Sequence, residues 1–198
     1  MNISEEKKKI ENEVNSITNN ILNHANDFKI CRFHLSELPN SKNWNNHPNI
    51  DPAFKKHVVK LNGYKNDCLY WFICDTTKDA IKLDNALCDY RNKKAKPEYR
   101  AVPTSNKYVN KENTIYVGVR RGNTAKNPKL TNIMGRINQH LGYYQQPKTQ
   151  GLQLLHWAKE LDMHITLYVV HFEENLGSLL YVLEKEVANR LIPHCGRH

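Results

Sequence analysis

No apolar run in the 198 residues approaches the length of about eighteen that a membrane-crossing helix needs, which excludes a span of that kind. The first ten residues, MNISEEKKKI, lack the apolar stretch of a secretory leader. The five cysteines, at 31, 68, 74, 88 and 195, are odd in number and form no Cys-x-x-Cys pair. That pattern argues against a disulfide framework and leads to the expectation of reduced thiols in a cytoplasmic protein. Cys195, with His194 and His198, lacks the second spaced pair that a zinc site requires, and no base beyond the adjacent His194 is positioned to make the thiol an acyl-transfer nucleophile. None of the 8 glycines builds a phosphate-cradling loop, so nucleotide hydrolysis is unsupported. His171-Phe-Glu173 has no companion Pro-Cys-x-x-Cys, which sets aside the zinc deaminases.

What the chain has instead is positive charge. Lys and Arg number 29 against 20 Asp and Glu, a formal net charge of +9. A basic balance spread over a chain of this size points toward a polyanion, most commonly nucleic acid, through phosphate contacts and counterion release. The densest positive stretch is Arg91, Lys93, Lys94, Lys96 and Arg100. Any one of these lysines reads as a solvated loop residue, and the cluster reads as a phosphate contact. Hydrophobic residues at 39% and charged residues at 25% are enough for a buried core.

Apolar residues at 10, 14, 17, 21, 25 and 28 recur every three or four positions and predict an amphipathic helix over 4–28. Its stripe is expected to pack on the body of the protein. Residues 37–52 read as loop, with a short helix over 53–61. CLYWFIC (68–74), TIYVGVRR (114–121) and HITLYVVHF (164–172) predict three strands. Helices are expected over 77–90, 130–141, 152–161 and 178–191. The fold class expected is α/β (α+β): a small three-stranded, mainly antiparallel sheet flanked by helices. It carries a helical N-terminal extension (1–65) and a long basic insertion (75–113) between the first two strands of a 66–198 domain.

Several residues stand out by placement. Tyr70 and Tyr116 lie in short strands, and Arg136 and His140 are four apart on one helix face. Glu184 sits among Leu180, Leu183 and Val187, where a carboxylate needs a partner, a metal or a proton. Singly, each also reads as an ordinary strand tyrosine, surface cation or half-exposed acid.

Taken in order, Cys68-Leu69-Tyr70, Tyr116-Val117-Gly118, Arg136-x-x-x-His140 and Glu184 with Pro193 nine residues on resemble the signature elements of the GIY-YIG nuclease family. The resemblance covers roughly 67–198. The departures are Cys68 in place of glycine, Leu69 in place of isoleucine, a 46-position separation of Tyr70 and Tyr116, a long stretch from Gly118 to Arg136, and no asparagine after Pro193. His194 or Arg197 is a candidate to take that asparagine's place.

The resemblance implies a metal-dependent DNA endonuclease of restriction, homing or repair type. One magnesium or manganese ion would be held by Glu184, with Glu186 as the rival ligand. Tyr116 would deprotonate or orient the attacking water, with Arg120 and Arg121 supplying charge to lower its pKa. Arg136 would grip the phosphate. His140 would orient Tyr70 or the water, or share the phosphate. Lys93, Lys94, Lys96, Arg120 and Arg121 are the expected substrate contacts. Cutting both strands suggests a homodimer on DNA. The alternative is a basic binding protein that keeps the fold without the activity.

Overall fold

A computed structural model describes residues 3–39, 52–95, 98–106, 112–122, 132–144, 148 and 150–196. Lys96, Arg197 and His198, together with residues 40–51 of the expected loop, lie outside the described residues. The architecture is α+β. Among the described residues five α-helices flank one four-stranded antiparallel sheet: α1 (Ile3–Asn23), β1 (Lys29–His34), α2 (Pro52–Gly63), β2 (Cys68–Cys74), α3 (Thr77–Arg91), β3 (Thr114–Arg120), α4 (Ile133–Leu141), β4 (His164–His171) and α5 (Leu179–Leu191). No helix among the described residues is long and apolar enough to cross a membrane.

The strand order is β1-β4-β2-β3. β2 is central and covered on both faces, which is why CLYWFIC is a continuous apolar run and does not alternate. Cys68, Tyr70, Phe72 and Cys74 enter the larger core with Leu83 and Leu87 of α3 and Ile133 and Ile137 of α4. Leu69 and Trp71 face the other way, against Ile21 of α1 and Val187 and Ala188 of α5.

Two expectations are corrected. The sheet has four strands, because β1, within the N-terminal segment expected to be helical, pairs antiparallel with β4 from Lys29↔Tyr168 to His34↔His164. The helix expected over 152–161 is absent; only a 3-10 turn forms at Leu154–His156. Gln153 there adopts φ 56°, incompatible with a continuing α-helix. The long connection between β2 and β3 leaves them direct neighbours, with Tyr70 opposite Gly118 and Cys68 opposite Arg120.

Asp67 fastens the end of this sheet. Its buried carboxylate accepts the Gly122 N–H at 2.7 Å and the Leu176 N–H at 2.8 Å, tying the exit of β3 to the connection between β4 and α5.

Candidate active site

Antiparallel register and strand alternation put Tyr70, Tyr116, Gly118 and Arg120 on one face of the sheet. α4 crosses that face. Asn132 caps its N-terminus through Gly135 N–H, and Gly142 ends it in the left-handed conformation. Ile133, Ile137 and Leu141 are buried, and this orientation aims Arg136 and His140 at the tyrosines.

Arg136 organises the cluster. Nε donates to the Tyr70 hydroxyl at 3.0 Å and Nη2 to the Tyr116 hydroxyl at 3.2 Å. Nη1 donates to Gln139 Oε1 at 2.6 Å and to the Gln150 carbonyl at 2.8 Å. A guanidinium has five N–H donors, and among the described residues four are engaged, leaving one on Nη2.

His140 is fully buried. Its Nδ1 accepts the Leu152 N–H at 3.2 Å, which fixes the tautomer with the proton on Nε2, and Nε2 donates to the Tyr70 hydroxyl at 2.9 Å. Burial and the Arg136 charge hold its pKa well below the usual histidine range, so the ring is neutral. With both nitrogens taken, His140 orients Tyr70 and has no atom left to share a phosphate.

The Tyr70 hydroxyl oxygen therefore accepts from both Arg136 and His140, leaving its own proton to donate. Burial raises its pKa, and this outweighs the opposing Arg136 charge. Tyr116 is less buried. Its pKa is also raised by burial, with Arg136 the main opposing influence. The expectation that Arg120 and Arg121 lower it is corrected: the cation bonded to Tyr116 is Arg136, and burial prevails. Arg121 lies past the end of β3 and is exposed.

Arg120 is half-buried and does join the cluster, with burial and the neighbouring Arg136 charge lowering its pKa against the influence of Tyr70, Tyr144 and Tyr181. Tyr144 and Tyr181 carry no signal in the sequence. Gln139 lies unremarked inside the Arg136–His140 spacing, and Gln150 sits in a stretch that reads only as loop. Gly151 permits the close approach of this loop to α4: a Cβ there would be 2.8 Å from the Gln139 carbonyl oxygen.

Glu184 comes from α5, which packs on the edge strand β3 more than on β2. The side chain is half-buried, and none of the described residues donates a hydrogen bond to it. Burial pushes its pKa up to about 7, against the lowering influence of Arg136. Its charge also raises the pKa values of Tyr70 and Tyr116, after burial and the other influences on them. Glu186 points elsewhere: it pairs with Arg190 Nε at 3.1 Å, and Arg190 in turn bonds Asn15 and Asn19 of α1.

Lys93 and Lys94 follow α3 and are exposed, and the cluster's hydrogen bonds do not reach them. His194 is buried, with Nε2 donating to the Glu112 carbonyl at 2.8 Å, so it does not stand in for the missing asparagine. Cys68, on the Tyr70 face, is buried with its thiol pushed up to about 12. Cys195 is likewise a buried thiol, donating to the Ile115 carbonyl at 3.2 Å.

Among the described residues no three His, Cys, Asp or Glu side chains come together as a metal cage. A single half-buried carboxylate without a hydrogen-bond donor fits a hard cation that keeps most of its waters and completes its shell on substrate oxygens. No protein-family model matches this chain, and neither the curated proteins nor the solved structures contain a match.

Proposed function

We propose that the protein is a metal-dependent endonuclease of the GIY-YIG type, hydrolysing phosphodiester bonds in DNA. The observation that carries this reading is one guanidinium bonded to two tyrosine hydroxyls, with a neutral histidine locking the first and an unpaired carboxylate nearby. Structural cores rarely concentrate so many titratable groups with displaced pKa values in one place.

In this reading the Tyr116 hydroxyl oxygen, held by the Arg136 N–H, accepts a hydrogen bond from the attacking water; as the water's proton moves onto Tyr116, the phenol's own proton passes to a non-bridging phosphate oxygen, so Tyr116 stays neutral throughout. The water oxygen bonds to phosphorus as the bond to the leaving ester oxygen breaks. The remaining Arg136 donor and the Arg120 charge act on the phosphate oxygens as negative charge accumulates, while the buried Tyr70 hydroxyl holds the Arg136 guanidinium in place. Glu184 would hold the divalent ion, magnesium or manganese, which supplies Lewis-acid charge to the phosphate. Two copies on one duplex, each cutting one strand, would give a double-strand break.

The test is cleavage of supercoiled plasmid and of a branched oligonucleotide with magnesium, manganese or EDTA, comparing wild type with Glu184→Ala. Discrete metal-dependent products that vanish in the variant are expected. Salt-sensitive binding without cutting on either substrate would replace this reading with that of a non-catalytic binding protein. Equal cutting by the variant would remove Glu184 from the mechanism.

A further inference from the structure

The C-terminal half of α3, the segment around Tyr99 and the loop 155–160 enclose a cavity of about 590 Å³ that is distinct from the tyrosine cluster. Its wall is aromatic. The Tyr90 ring stacks on Tyr99 with centroids 5.2 Å apart at 23°, and on Trp157 at 6.2 Å and 27°. Asp89, Glu98, Glu160, Lys93 and Lys159 also line it.

Cavity and cluster share their supports. Leu152 gives its N–H to His140 and accepts Trp157 Nε1–H at 2.7 Å on its carbonyl. Gln150 accepts Arg136 on its carbonyl and donates Nε2–H to the Val102 carbonyl at 3.4 Å, three residues past Tyr99. A nucleic acid strand held at Arg136 would thus run beside an aromatic recess built on the same loop.

We propose that this cavity receives one unstacked base of the bound strand, an inference that rests on the nuclease reading. Aromatic faces stack any base. Three carboxylates against Lys93 and Lys159 give the lining no net attraction for phosphate, so the base edge enters and the backbone stays on the basic surface outside. The carboxylates also accept hydrogen bonds from exocyclic amino groups, which cytosine, adenine and guanine carry and thymine does not. The volume lies within the range of pockets that hold small organic ligands. The preferred substrate is then DNA with an unpaired or extruded amino-bearing nucleotide, and fully paired duplex binds less well.

The test uses the full chain, labelled duplexes and fluorescence anisotropy in EDTA, so that binding is read without cleavage. Three duplexes are compared: fully paired, with one bulged cytosine, and with one bulged thymine. The cytosine bulge should bind about tenfold or more tighter than paired duplex, the size of effect one base stack supplies, with the thymine bulge between them. Tyr99→Ala should collapse the bulged-to-paired ratio toward one, and Glu98→Gln should narrow the preference for cytosine over thymine. Any replacement of Trp157 removes its hydrogen bond to Leu152, so Tyr99→Leu, which keeps bulk but not the ring, serves as the second variant and should lower the ratio as Tyr99→Ala does. Equal binding of bulged and paired duplex by wild type, no binding of either, or ratios unmoved by these variants would overturn the proposal. Bulge preference without cleavage under any metal condition would overturn the nuclease reading and leave the base pocket standing. Cleavage with no bulge preference would do the reverse.

Discussion

A methyl group on Gly118 would sit 2.6 Å from the Tyr70 hydroxyl oxygen and 2.7 Å from both Tyr70 Cζ and Tyr116 Cε1. The Tyr70 ring is fully buried and its hydroxyl is held by two hydrogen bonds, so it cannot swing away cheaply. Gly118→Ala should lower stability by about 1–3 kcal/mol in urea unfolding, as overpacking does elsewhere. Unfolding at the wild-type midpoint would mean that the ring gives way freely. Glu184 yields a prediction with a pH signature. Its pKa is raised from the ordinary 4.5 to about 7, so the folded protein binds this proton more tightly than the unfolded chain does. The stability linked to that proton is complete below pH 4.5 and is lost as pH rises toward 7. Glu184→Gln should match wild type near pH 4. Above pH 7 it should be more stable by about 1 kcal/mol, a figure reduced for the solvent that still reaches the carboxylate. A difference independent of pH would show that the carboxylate does not titrate as its burial dictates.

The elements most legible in the sequence are those whose pattern is set by burial alone. β2 and β4 are central and covered on both faces, so their apolar runs are unmistakable; β3, at the edge, shows in TIYVGVRR with Gly118 inside it. α1 follows from its stripe, although it stops at Asn23 and gives way to a 3-10 turn before β1. β1 went unread because an edge strand carries charge: Lys29, Arg32 and His34 interrupt the alternation, as edges protected against further pairing do. The expected helix over 152–161 failed because the site claims its backbone. Gly151 N–H serves Ala101, Leu152 N–H serves His140, and the Leu152 carbonyl serves Trp157. Local helix propensity yields where tertiary hydrogen bonds decide. The four motif positions were legible by spacing, whereas the Gln139, Gln150 and Leu152 contacts that fix their geometry depend on a chain reversal no local pattern encodes. Asp67 belongs to the same class of hidden element-level device. Asp67→Asn keeps one acceptor and turns an NH2 toward a backbone N–H, so a loss of about 1–3 kcal/mol is expected in denaturant unfolding. An asparagine variant as stable as wild type would show that the end of β3 does not depend on this carboxylate.

For the whole molecule, the proposed function and the net charge of +9 together predict that nucleic acid binding depends on salt before any base is read. Log affinity should fall linearly with log salt concentration, with each neutralised phosphate contributing about −0.9 to the slope on duplex DNA. Charge at the surface and charge in the cluster should differ in what they add. Arg136 has four of its five donors engaged within the protein, so its replacement perturbs the tyrosines as well as any phosphate. Arg120 is the cleaner probe. It lies at the end of the edge strand, half-buried beside Arg136, where burial and the Arg136 charge lower its pKa, whereas Arg136 itself is held charged by Tyr70 and Tyr116. Bringing a phosphate to that place relieves the repulsion, so the pair forms an anion site by its own electrostatics. Arg120→Ala should weaken duplex binding and shrink the magnitude of the salt slope by about one, measured in EDTA by titration over a range of sodium chloride. A weaker affinity with an unchanged slope would mean that Arg120 supports the fold of the site without meeting the phosphate. The catalytic charge would then rest on Arg136 and the ion at Glu184 alone.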